Sequence, residues 1–157
     1  MKKQNKLAIV GIGNELCKDD GFGVLALRKL KEKHIGLDTL LEGGTYGISL
    51  LPLFFEYDYI IFLDVIKLND LPGSIYVIPL QEIASKQFLA VSFHDVGVIE
   101  VYNQSRMLGA KSVCYLVGIV PFDFDGYGEV SEVLKSRMDD YLNEVIKLAC
   151  KISSSLK

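Results

Sequence analysis

The run Gly11-Ile12-Gly13-Asn14 and the group Asp19-Asp20-Gly21-Phe22-Gly23 set glycine-rich stretches on either side of two adjacent carboxylates. They follow a short apolar run, Leu7 to Val10, and precede a helical pattern. Two ligand chemistries compete at such a strand–turn–helix junction. A dinucleotide loop needs a third glycine three residues after Gly13, for close helix packing, and Leu16 stands there. No Gly-Lys-Ser/Thr follows, so the loop is not a phosphate loop either. A pair of negative charges at the helix entry repels phosphate and attracts a cation. The loop therefore reads as part of a metal or cation site.

Two further residues extend that reading. Asp64 closes the apolar run Tyr59-Ile60-Ile61-Phe62-Leu63, a costly place for a charge unless a cation or hydrogen-bond donors receive it. His94 falls in the first turn of a helical pattern that begins near Ser92. The positive end of the helix dipole favours its neutral form, which is the form that binds a metal. Two carboxylates and one imidazole suit a borderline divalent ion with open positions, such as nickel or zinc. In open α/β sheets ligands sit beyond the carboxyl ends of the strands, and Asp20, Asp64 and His94 all fall at such places.

Each residue also has a plainer reading. Asp19 and Asp20 are ordinary helix N-cap types. Asp64 could bond only to backbone amides in a turn. His94 could be a surface residue, and His34, at a charged helix end, is taken as structural. Cys17 lies near the site and His94 could activate it as a nucleophile, but beside Leu16 it reads better as a small packed residue. No Gly-x-Ser-x-Gly elbow occurs. Glycines 43, 44 and 47 around Thr45 shape a tight loop, and could also let a peptide backbone approach closely.

The elements that must position these residues alternate. Strands are predicted at Leu7 to Gly11, Leu37 to Leu41, Tyr59 to Asp64, Ser74 to Ile78 and Ser112 to Val120. A helix over Gly21 to Lys33 buries Val24, Leu27 and Leu30, and Gly36 ends it. Ile48 to Phe55 forms a second helix with Pro52 early in it, and Ser92 to Leu108 a third, capped by Ser92 with Asp95 three residues on. Val130, Val133, Leu134, Met138, Tyr141, Leu142, Val145, Leu148 and Ala149 keep one stripe over about five turns of a last helix. The pattern is α/β: one three-layer domain, with a mostly parallel twisted sheet between helical layers.

Composition narrows the rest. A chain of 157 residues with half of them apolar can bury a core without staples. The net charge of −3, with basic residues clustered only at Lys2, Lys3 and Lys6, gives no case for nucleic acid. Cys17, Cys114 and Cys150 show neither zinc nor disulfide spacing, which suits a cytoplasmic protein. The longest apolar region, Leu50 to Ile66, is interrupted by Pro52, Glu56, Asp58 and Asp64, whereas a membrane span needs about 20 apolar residues.

Several of these segments, taken together, resemble one family. Gly-Ile-Gly-Asn at 11 to 14, Asp-Asp-Gly-Phe-Gly at 19 to 23, Glu-Gly-Gly-Thr at 42 to 45, Phe-Leu-Asp at 62 to 64 and Phe-His-Asp at 93 to 95 are similar to motifs of the hydrogenase maturation endopeptidases. Pro-Gly at 72 to 73 and Gly-Ile-Val-Pro at 118 to 121 fit as well. The likeness runs in order along nearly the whole chain, as one domain over residues 1–157. Glu42 stands where many members carry Asp, and Phe122 to Tyr127 departs from the usual text.

The resemblance implies an aspartic-type endopeptidase that removes a C-terminal extension from the large-subunit precursor of a nickel–iron hydrogenase. Nickel already inserted in that precursor would be the recognition signal, contacted by Asp20, Asp64 and His94. The metal could polarise the scissile carbonyl or activate a water, and Asp20 or Asp64 could instead act as base. The expected partner is the precursor, and the chain itself is expected to be a monomer. The alternative within the same pathway is a non-catalytic module that binds nickel or precursor without shortening it.

Overall fold

The computed structural model describes residues 5–37, 39–45, 47–85 and 96–155, the last stretch with its side chains from Val98 on. Five strands form one sheet: β1 (Leu7–Ile12), β2 (Leu40–Gly44), β3 (Tyr59–Val65), β4 (Ile75–Pro79) and β5 (Val113–Ile119), in the order β2-β1-β3-β5-β4. The first three and β5 run parallel, and β4 is an antiparallel edge strand on β5. Strands covered on both faces carry apolar side chains on both. Ala8, Val10, Ile60, Phe62 and Leu116 face one helical layer, made by α2 (Leu53–Glu56), α3 (Leu80–Ala84) and α4 (Val96–Met107). Ile9, Ile61, Leu63, Val117 and Ile119 face the other, made by α1 (Phe22–Glu32), α5 (Glu132–Ser136) and α6 (Met138–Ser155). The expected three-layer α/β architecture is what the chain adopts.

The departures have identifiable causes. Strand β2 lies later than predicted, because Glu42-Gly43-Gly44, read as a turn, is its second half. Glycine in a strand marks a close approach: a Cβ at Gly43 would lie 2.8 Å from the Val10 side chain on β1. The helix expected from Ile48 to Phe55 divides into a 3₁₀ turn, Ile48–Leu50, and α2, with Pro52 in the capping position between them. Proline supplies no backbone N–H, so the first segment cannot run on through it. The last helix breaks at Arg137, whose Nε–H donates to the Gly73 carbonyl at 3.1 Å and ties the junction to the turn before β4. The apolar stripe survives the break, with Leu134, Tyr141, Leu142, Val145 and Ala149 all buried. Helix α3 was not anticipated, and the predicted cap at Ser92 and Asp95 lies outside the described residues.

The strand order decides where a ligand can sit. From β1 the chain goes to β2 on one side, then crosses back to β3 on the other. The crossovers diverge at β1 and β3, so a crevice opens beyond the carboxyl ends of these two strands. Helix α1 starts at that edge and packs closely there. A Cβ at Gly23 would lie 2.2 Å from the Leu63 carbonyl oxygen and 2.4 Å from that of Ile12. Gly23 thus takes the packing role that a dinucleotide loop gives to its third glycine. Leu16, at the sequence position of that glycine, is 65% exposed.

Candidate active site

Asp20 sits in a 3₁₀ turn, Lys18–Gly21, between β1 and α1. The residue capping α1 is Gly21, with no side-chain hydrogen bond, so the N-cap reading of Asp19 and Asp20 does not hold for that helix. Asp20 is buried, and its Oδ2 accepts a hydrogen bond from the Asn14 N–H at 3.1 Å. Its main chain lies against Gly13, where a Cβ would come within 2.0 Å of the Asp20 carbonyl oxygen. Gly13 also has φ +127, open to glycine at little cost. The glycine turn is therefore a seat for the Asp20 loop.

Asp64 is the penultimate residue of β3 and is fully buried. Its Oδ1 accepts from the Val65 N–H at 2.7 Å. Alternation puts its side chain on the face of Ile60 and Phe62, toward the layer of α4. Gly11 pairs with Leu63, so Asp64 lies one step further on, beside the end of β1 from which the Asp20 loop leaves. On the opposite face, the Tyr141 hydroxyl donates to the Val117 carbonyl at 2.5 Å. Burial, and secondarily the Asp64 charge, push that hydroxyl's pKa well up, so it stays protonated. Asp20 and Asp64 thus share the carboxyl edge at the switch point. His94 lies outside the described residues, and among the described residues no three His, Cys, Asp or Glu side chains are grouped to hold a metal ion.

Sequence reasoning underrated the neighbours. Asp19, adjacent to Asp20, is fully buried and accepts from Phe122 N–H, Asp123 N–H and Ser131 Oγ on one oxygen and from Ser131 N–H on the other. Its signal in the sequence was only that it is one of two adjacent acids. The segment that departs from the family text is therefore not loose. Lys18 Nζ lies 2.7 Å from Asp123, and Cys17 pairs with Gly128 as a one-residue parallel bridge. The Gly128 N–H donates to the Leu16 carbonyl, and the flanking Leu16 and Tyr127 are 65% and 84% exposed.

Glu42 also finds its reason. Its carboxylate takes two hydrogen bonds from the Arg28 guanidinium, at 2.8 and 3.3 Å, and the same guanidinium reaches Glu15 at 2.5 Å. The hydrogen bond from Arg28 holds Glu42 below its usual carboxylate range. A group with a depressed folded pKa stabilises above its unfolded pKa and loses that contribution as pH falls through the folded one. Glu42→Gln should therefore lower the thermal midpoint at neutral pH, and the difference from the parent should vanish in acid. Melts across that range check this; a difference independent of pH would mean packing, not charge.

A doubly wound α/β protein with two buried carboxylates at its switch point is the class that fold and site define. The chain belongs to the hydrogenase maturation protease family, whose profile, HycI, matches residues 24–148. By that membership it is an endopeptidase. It is 30% identical to the hydrogenase expression/formation protein HupD of Bradyrhizobium diazoefficiens, over 96% of this chain and 79% of that protein. It is 24% identical to the hydrogenase 2 maturation protease of Escherichia coli, over 90% and 88%. Among solved structures, the maturating endopeptidase HybD of E. coli superposes with a TM-score of 0.84 at 23% identity, over 93% of each chain. The [NiFe] hydrogenase maturation protease HybD of Thermococcus kodakarensis does so with 0.78 at 29%, over 92% of this chain and 99% of that one. The profile begins beyond Asp20, whose place in the site rests on the loop geometry above. Among the described residues no helix is long and apolar enough to cross a membrane.

Proposed function

We propose that this protein removes a C-terminal extension from the large-subunit precursor of a nickel–iron hydrogenase, with nickel in the precursor as the recognition signal. The observation that carries this is the pair of buried carboxylates, Asp20 and Asp64, at the carboxyl edge between β1 and β3. Hard oxygen donors and one imidazole, from His94, form a donor set that suits a borderline divalent ion. The nickel belongs to the substrate: the three side chains meet it there, and their contact with it places the scissile bond. Burial strengthens that contact, because a carboxylate withdrawn from water interacts more strongly with a cation.

In the reaction the protein's own residues divide the work. Either carboxylate can take a proton from the attacking water at hydrogen-bonding reach of about 3 Å. The Gly13-Asn14 turn holds Asp20, and the end of β3 holds Asp64, so neither must reorganise when substrate arrives. Incubating purified protein with precursor and weighing both by intact mass tests the assignment. Loss of a C-terminal peptide is the expected result. A stable complex with an unshortened precursor would favour a non-catalytic assembly module.

A further inference from the structure

We infer that Asp19 is a positioning residue that couples the Asp20 loop to the segment 122–131; this rests on the protease reading of the site. Asp19 is fully buried, and among the described residues its partners are three backbone N–H groups and one hydroxyl. Those donors belong to two separate stretches, the exit of β5 and the cap of α5, where Ser131 Oγ accepts in turn from Leu134 N–H. The Asp19 N–H also donates to the Asp123 carbonyl at 3.0 Å. Its own peptide thus grips the same strand exit from the other direction. On the far side, Asp20 is seated on Gly13 and bonded by Asn14.

The consequence is mechanical. The Asp20 loop is held between the end of β1 and the exit of β5, and Asp19 is the fully buried side chain of the second contact, beside the more exposed Lys18–Asp123 pair. A buried carboxylate that loses its charge leaves several N–H donors with a weaker acceptor, and the whole junction loosens. Displacing a reacting group by about 1 Å can cost about 100-fold in rate. Asp19 need never touch substrate to control Asp20.

The test compares Asp19→Asn with Ser131→Ala and Ser131→Thr, well below their melting temperatures. Asp19→Asn should lower kcat about 100-fold. Ser131→Ala, which removes one donor of four, should lower it less, and Ser131→Thr, which keeps the hydroxyl, should restore it. Hydrogen–deuterium exchange provides a readout that needs no cleavage. In Asp19→Asn, peptides covering 11–21 should lose protection together with those covering 121–134. Should Asp19→Asn fail to fold, Ser131→Ala carries both readouts. Loss of protection confined to 121–134, or a raised KM with kcat intact, would overturn the proposal. If the parent protein does not cleave precursor at all, the protease reading fails instead, and the exchange pattern alone decides the role of Asp19.

Discussion

Asp64→Asn should abolish precursor cleavage, by about 10²–10⁴-fold if Asp64 acts in proton transfer alone, while leaving the protein as stable as its parent or more so. The two halves of that result have one cause. Asp64 is fully buried, so its charge carries a desolvation cost that an amide of the same shape does not. The Val65 N–H keeps an acceptor, because the asparagine oxygen can occupy the place of Oδ1. What the amide lacks is the negative charge that would meet the substrate's nickel or take a proton. Sites that hold charge for chemistry commonly cost stability. Cleavage rate followed by intact mass, beside a thermal melt, measures both. A variant that cuts at the parent rate would remove Asp64 from the reaction.

Gly23→Ala should destabilise the fold by about 3 kcal/mol or more. The added methyl would meet two main-chain oxygens, those of Leu63 and Ile12, at 2.2 and 2.4 Å. Backbone of a central sheet cannot step aside, so α1 must lift from β1 and β3. Asp20, just before α1, would move with it, and activity should fall along with stability. Gly109 provides the contrast: a Cβ there meets nothing within 4 Å, and the cost of alanine comes only from φ +92. That cost is about 1–2 kcal/mol. Chemical denaturation of both variants gives the comparison, and similar destabilisation in the two would refute the packing argument.

How far these features were legible in the sequence depends on what carries them. The strand–turn–helix unit from Leu7 to Glu32, strand β3 and the stripe of α6 were readable because local periodicity and burial agree there. Strand β2 was misplaced because two glycines argue for a turn by propensity, while a tertiary contact with Val10 puts them in the sheet. The break at Arg137 coincides with its bond to the Gly73 carbonyl, far away in sequence, which no local rule reveals. In the site, Asp20 and Asp64 could be named because a charge at the end of a buried strand or glycine turn is chemically conspicuous. Separating Asp19 from Asp20 was not possible, since adjacent acids look alike until their partners are known. Asp19 turns to the exit of β5 and Asp20 to the glycine turn. His94 rests on the sequence motif, because it lies outside the described residues.

The proposed role of nickel in the substrate calls for offering the protein the same large-subunit precursor with and without nickel and following both by intact mass. Loss of a C-terminal peptide from the nickel-loaded precursor only is the expected result. Equal cleavage of the nickel-free precursor would contradict it, and would leave Asp20 and Asp64 as the machinery of a peptidase that recognises its substrate by other means.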